Sequence, residues 1–84
     1  MDIVSLEQAI KIAEKYLNEE VRDPFVFKNS RFVVEHDLIK KFDDHWLFFY
    51  QTDSYIESGD VLDALVGNLP ISISKTGKIL GFIK

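Results

Sequence analysis

His45-Trp46-Leu47-Phe48-Phe49-Tyr50-Gln51 holds five consecutive apolar side chains, four of them aromatic. A strand that is apolar at every position is buried on both faces, which belongs at the centre of a sheet. Side chains alternate along a strand, so Trp46, Phe48 and Tyr50 share one face and Leu47 and Phe49 the other. Upstream, Phe42-Asp43-Asp44 reads as the connection to an earlier strand over Phe32 to about Ile39. There Phe32, Val34 and Leu38 oppose Glu35 and Asp37. Downstream, Leu69 to Ser74 alternates again with Ile71 and Ile73 on one face, and Pro70, which cannot donate to a ladder, marks the strand start or an edge. Lys75-Thr76-Gly77 is a hairpin turn leading into a last strand, Lys78 to Ile83.

Outside the strands, Ser5 and Gln8 form a capping-box pattern ahead of Leu6, Ala9, Ile10, Ala13, Tyr16 and Leu17. Their spacings of three and four predict a helix from Ser5 to about Glu20, with Glu7, Lys11, Glu14 and Lys15 on the wet side. Arg22-Asp23-Pro24 ends it. Phe25 to Lys28 reads as a brief strand or an ordered loop, and Asn29-Ser30 breaks it. Between the second and third strands, Ser58-Gly59-Asp60 signals a turn. Asp60 is placed to cap a helical turn over Val61 to Val66 that Gly67-Asn68 ends. The expected fold is therefore α+β: one N-terminal helix packed on an antiparallel sheet of about four strands, with a short helical turn between strands 2 and 3. The 84 residues form a single domain, 1–84, because a chain of this size holds one core.

Composition narrows the chemistry. The chain is 46% hydrophobic and has no cysteine, which excludes disordered polymers, disulfide frameworks and thiolate metal sites. The acidic N-terminus without an apolar run predicts a cytoplasmic, unprocessed protein. Five apolar residues in a row fall far short of the roughly 20 a membrane span requires. His36 and His45, even beside Asp37, Asp43 and Asp44, are too few to predict a metal, so none is expected. The four scattered glycines make no phosphate loop, and no cofactor is expected. Serines lack a nucleophile elbow, and carboxylate pairs such as Glu57 and Asp60 suit turns as well as acid–base chemistry, so no catalytic residue is assigned.

Charge is uneven along the chain. Residues 1–42 carry a net −1, residues 43–66 a net −6 and residues 67–84 a net +3, for −4 in all. The middle block has six carboxylates, Asp43, Asp44, Asp53, Glu57, Asp60 and Asp63, and no basic residue. Two readings stand together: carboxylates that cap turns, and a negative lobe that steers a basic partner. Without basic–aromatic interleaving, nucleic acid is not an expected partner. One helix covers one sheet face, so Leu47 and Phe49, with Leu80 and Phe82 opposed to Ile79 and Ile83, need a second cover. The Phe25–Lys28 segment, a twin subunit or another protein would supply it.

Four features in order, Trp46 to Tyr50, Tyr55 to Gly59-Asp60, Gly67-Asn68-Leu69-Pro70 and Thr76-Gly77, resemble the YrhB-type domain, also classed as the immunity protein 35 family of bacterial polymorphic-toxin loci. The resemblance spans roughly Phe32 to Ile83, and the capped helix fits the family layout. It implies a small non-catalytic protein that binds and neutralises a cognate toxin by stoichiometric occlusion. It also allows a chaperone-like role, with unfolded clients held on an apolar sheet face. For Trp46, Tyr55, Gly59, Asp60, Gly67, Asn68, Pro70 and Gly77 the resemblance implies mainly a folding role. The candidate partner-binding residues are Asp43, Asp44, Asp53, Glu57, Asp60 and Asp63 for electrostatics, with Trp46 and Tyr55 as aromatic anchors, against a toxin surface expected to be basic.

Overall fold

Ser5 opens helix α1, Leu6–Tyr16, in the computed structural model, which describes residues 3–60, 64, 65 and 68–83. The Ser5 hydroxyl accepts from the Gln8 N–H at 3.1 Å, and Gln8 Oε1 accepts from the Ser5 N–H at 2.9 Å. Both exposed donors at the helix start are thereby satisfied, as the sequence pattern predicts. Ala9, Ile10, Ala13 and Leu17 form the buried stripe. The predicted single helix to Glu20 divides, however. Leu17–Val21 continue as one π-helical turn, closed by a bond from the Arg22 N–H to the Leu17 carbonyl at 2.7 Å.

Among the described residues six strands follow: β1 Phe32–Val34, β2 Lys40–Lys41, β3 His45–Phe48, β4 Tyr50–Thr52, β5 Ile71–Ser74 and β6 Ile79–Phe82. All pairings are antiparallel. Strands β2-β3-β5-β6 make a four-stranded sheet, and β1 and β4 make a separate two-stranded ribbon. The predicted strand from His45 to Gln51 thus changes partners at Phe49, pairing first with β5 and then with β1. A strand that passes from one sheet to another at a bend lets a short chain build two layers around one core. The predicted parity holds across the bend: Trp46, Phe48 and Tyr50 are all buried, while Leu47 and Phe49 are half-buried. Facing them, Ile71 and Ile73 are fully buried.

The predicted strand to Ile39 stops five residues early. Its last ladder bond runs from the Glu35 N–H to the Phe49 carbonyl at 2.8 Å, and His36–Leu38 then form a 3₁₀ turn. Three polar residues in succession, Glu35-His36-Asp37, have no sheet face to bury, so local turn bonding wins there.

β1 is an edge strand whose outer groups are met by α1 and the π-helical turn that continues it. The Asn18 side chain accepts from the Phe32 N–H at 2.8 Å and donates to the Phe32 carbonyl at 2.9 Å, standing in for a neighbouring strand. One turn earlier, Glu14 Oε2 accepts from the Val34 N–H at 3.0 Å. Glu14 is therefore half-buried, not on the wet side its place in the helical pattern suggested.

A second helix, α2 (Asp53–Ser58), lies between the second and third predicted strands. Thr52 caps it by accepting from the Tyr55 N–H at 3.1 Å, and Gly59, left-handed at φ +70°, ends it. The helical turn expected over Val61 to Val66, with Asp60 as its cap, lies outside the described residues apart from Ala64 and Leu65. Leu65 is tied to β4 by both ends of the Gln51 amide, at 2.7 and 2.9 Å.

Two expectations about the outer surface are corrected. The Phe25–Lys28 segment is a loop and does not cover the second sheet face: Phe25 is 90% exposed, and Phe27 packs on the core side against Phe32 with ring centroids 5.1 Å apart. Between β5 and β6, a register shift at Ser72/Ile73 pairs Ile79 with Ile73 and Phe82 with Ile71, so Ile79 and Phe82, the latter 36% exposed at the edge, share the face that simple alternation had set them across.

Candidate partner-binding surface

The predicted carboxylates fall into two groups, because β3 and β4 run between them. The eight residues from His45 to Thr52 span up to about 26 Å of extended chain. Asp43 and Asp44 occupy the hairpin between β2 and β3, where the Phe42 N–H donates to the His45 carbonyl at 2.9 Å. Asp44 Oδ1 lies 2.6 Å from His45 Nδ1, and the His45 ring stacks on Phe42 at 4.6 Å. A carboxylate only accepts, so the imidazole donates. This hydrogen bond is the main reason the Asp44 carboxyl is held below its ordinary value, and the charges of His45 and Lys75 add to it. Lys75 also sets its ammonium 4.1 Å above the Trp46 ring. Trp46 itself is 5% exposed, so its indole belongs to the core, covered by Lys75.

The second group surrounds α2. Asp53 is half-buried and occupied by the fold: its Oδ1 accepts from the Arg31 N–H at 3.0 Å and the Ser54 N–H at 2.8 Å, extending the β1–β4 ladder by one step. Glu57 and Asp60 are exposed, on the helix and just beyond Gly59. Asp63 lies outside the described residues. Tyr55, half-buried, is the predicted anchor that reaches a surface.

Tyr55 opens onto a groove of about 630 Å³ between α2 and the 36–38 turn. Leu38 and Ile56 line it at 49% and 51% exposure, and Glu35 and Asp37 contribute its carboxylates. Sequence reasoning missed this site, because Glu35 and Asp37 read there as the polar face of a longer strand. The run of three polar residues from Glu35 to Asp37 was the available signal. Both walls are held firmly: the Ser30 and Ser54 hydroxyls meet at 2.8 Å, and the Asp53 N–H donates to the Arg31 carbonyl at 2.8 Å, which fixes α2 against β1.

Among the described residues no three His, Asp or Glu side chains are grouped to hold a metal ion, and no helix is long and apolar enough to cross a membrane. His36 lies in the 36–38 turn, outside the β2–β3 pairing that begins at Lys40. The surface can offer anionic and apolar contact to another macromolecule.

Comparison with curated proteins and with solved structures yields no match. A family model does match, that of immunity protein 35, over residues 7–83, which takes in α1, both sheets and the α2 groove. With nearly the whole chain so matched, and with the helix-then-sheet layout that the four sequence features implied, the protein belongs to the immunity protein 35 family.

Proposed function

We propose that the protein neutralises its cognate toxin by stoichiometric occlusion, using the anionic, partly apolar surface around α2. Membership of an immunity protein family implies a toxin as the binding partner. The observation that carries the finer reading is the coincidence, at one helix, of exposed carboxylates with a half-exposed aromatic and an exposed aliphatic side chain. Glu57 and Asp60 supply charge, Tyr55 and Ile56 supply apolar area, and no lysine or arginine occurs from residue 43 to 66. Apolar anchors that lose water on binding carry most of an interface's affinity, while the surrounding charge sets orientation and association rate. Asp63 adds to that charge by sequence, and Asp53 adds it from beneath. The hairpin pair Asp43 and Asp44, on the other side of the strands, contributes to steering at longer range. Trp46 supports the surface from the core.

A chaperone-like role is less well supported. It calls for a broad apolar sheet face, yet on the outer face Leu47 is half-buried between Ser72 and Lys40, and Leu80 alone of its described leucines is more than half exposed. The same composition gives a twin subunit little to bury.

The test is to co-express the protein with any toxin whose gene is found next to its own, followed by kinetics with that toxin's C-terminal domain. Growth should be rescued, and a 1:1 complex should form. Replacing Asp53, Glu57 and Asp60 by their amides should slow association about tenfold at low salt and flatten its dependence on ionic strength. Rescue without a complex would overturn occlusion, and an unchanged association rate would overturn the electrostatic part.

A further inference from the structure

The groove between α2 and the 36–38 turn is not among the residues the charge pattern singled out, and its lining has a specific chemistry. Val34 is buried at its base, Leu38 and Ile56 stand half-exposed on its two sides, and Glu35 and Asp37 are its carboxylates, with His36 between them in sequence. Two apolar walls that meet no partner in the isolated chain, edged by carboxylates and without a lysine or arginine, match an apolar side chain that has cationic neighbours. We propose that this groove is the seat of one apolar side chain of the toxin, flanked in the toxin's own sequence by lysine or arginine that meets Glu35 and Asp37. The proposal rests on the immunity reading and deepens it by naming where and by what chemistry the toxin is gripped.

Three observations favour this occupant. The volume of about 630 Å³ lies within the range of small-ligand sites, but its walls stand half-exposed, which suits a residue delivered on another surface better than a free molecule that must be enclosed. A second copy docking groove to groove is disfavoured because it would set Glu35 and Asp37 against their own equivalents. The walls are also preorganised. Ladder bonding ends at Glu35, Thr52 and Gly59 bound α2, and the Ser30–Ser54 contact fixes the helix to β1, so little ordering is left to offset the contact.

Binding of the toxin's C-terminal domain to wild-type protein and to three variants, by surface plasmon resonance, tests this. Leu38→Ala combined with Ile56→Ala should raise Kd at least about tenfold, mainly through faster dissociation. Glu35→Lys combined with Asp37→Lys should slow association at low salt and bind less tightly, and because Asp37 is exposed and Glu35 half-buried, with neither in the core, this variant reads the groove even if the apolar double variant fails to fold. Leu80→Ala, a comparably exposed leucine on the four-stranded sheet, should leave Kd unchanged. Tight wild-type binding with both groove variants indistinguishable from it would overturn the groove while leaving the immunity reading intact. Absence of wild-type binding would overturn both.

Discussion

Asn18 does at the residue scale what a whole strand does elsewhere, pairing with both backbone groups of Phe32 from a helix. Replacing it with alanine would leave a buried donor and acceptor unmatched, and Asn18→Ala should cost about 2–3 kcal/mol, read as a lower urea midpoint. A loss within about 0.5 kcal/mol would mean that water takes its place. Gly77 is constrained twice. Its φ is +89°, and a Cβ there would meet Ile12 Cδ1 at 3.2 Å and Val4 Cγ1 at 3.3 Å, so Gly77→Ala should destabilise by about 1–3 kcal/mol. Asp44 has a pH signature. Its carboxyl is held below the ordinary value of 3.8, so the folded state favours the charged form. That contribution is present above 3.8 and is lost as pH falls through the lower folded value. Asp44→Asn should therefore melt below the wild type at neutral pH, and the two melting curves should converge in acid. A constant difference down to pH 2 would assign the effect to something other than the His45 pair.

Among the elements, the 23–30 loop combines a firm frame with an exposed tip. Arg22 Nη1 donates to the Phe27 carbonyl at 2.7 Å and the Ser30 carbonyl at 3.3 Å, and Asp23 Oδ1 accepts from the Phe25 N–H at 2.9 Å. Phe25→Ala should leave stability within about 0.5 kcal/mol, since the ring is already in water, while Arg22→Ala should lower it by about 1–2 kcal/mol through the freed carbonyls. Equal losses in thermal melts would contradict this division between frame and tip. Helix α2 has six residues and rests on its caps, so Thr52→Ala should cost about 1 kcal/mol. The same change should loosen the groove wall that Tyr55 and Ile56 supply, weakening toxin binding beyond any loss in overall fold.

Across the whole molecule, two strand systems share one core, and β3 and β5 lie at its centre with Phe48, Ile71 and Ile73 fully buried. Native-state hydrogen exchange should find the slowest amides in β3 and β5 and faster ones in α2, which holds no buried residue. Equal protection would mean that the two parts open only together. The capped start of α1, the inward parity of Trp46, Phe48 and Tyr50, the turn at Lys75-Thr76-Gly77 and the acidic middle block were all legible from residue order, because each depends on neighbours two to four positions apart or on composition alone. Other features were not: the change of partner at Phe49, the bulge that sets Ile79 and Phe82 on one face, the burial of Glu14 and Asn18 against β1, and the division of the carboxylates around two ends of the strands. Each of these depends on which backbone groups meet across separations of fourteen residues or more, or on a register no local pattern encodes. The same holds for the groove, whose walls come from the 36–38 turn and α2 and are neighbours only because β1 pairs with β4.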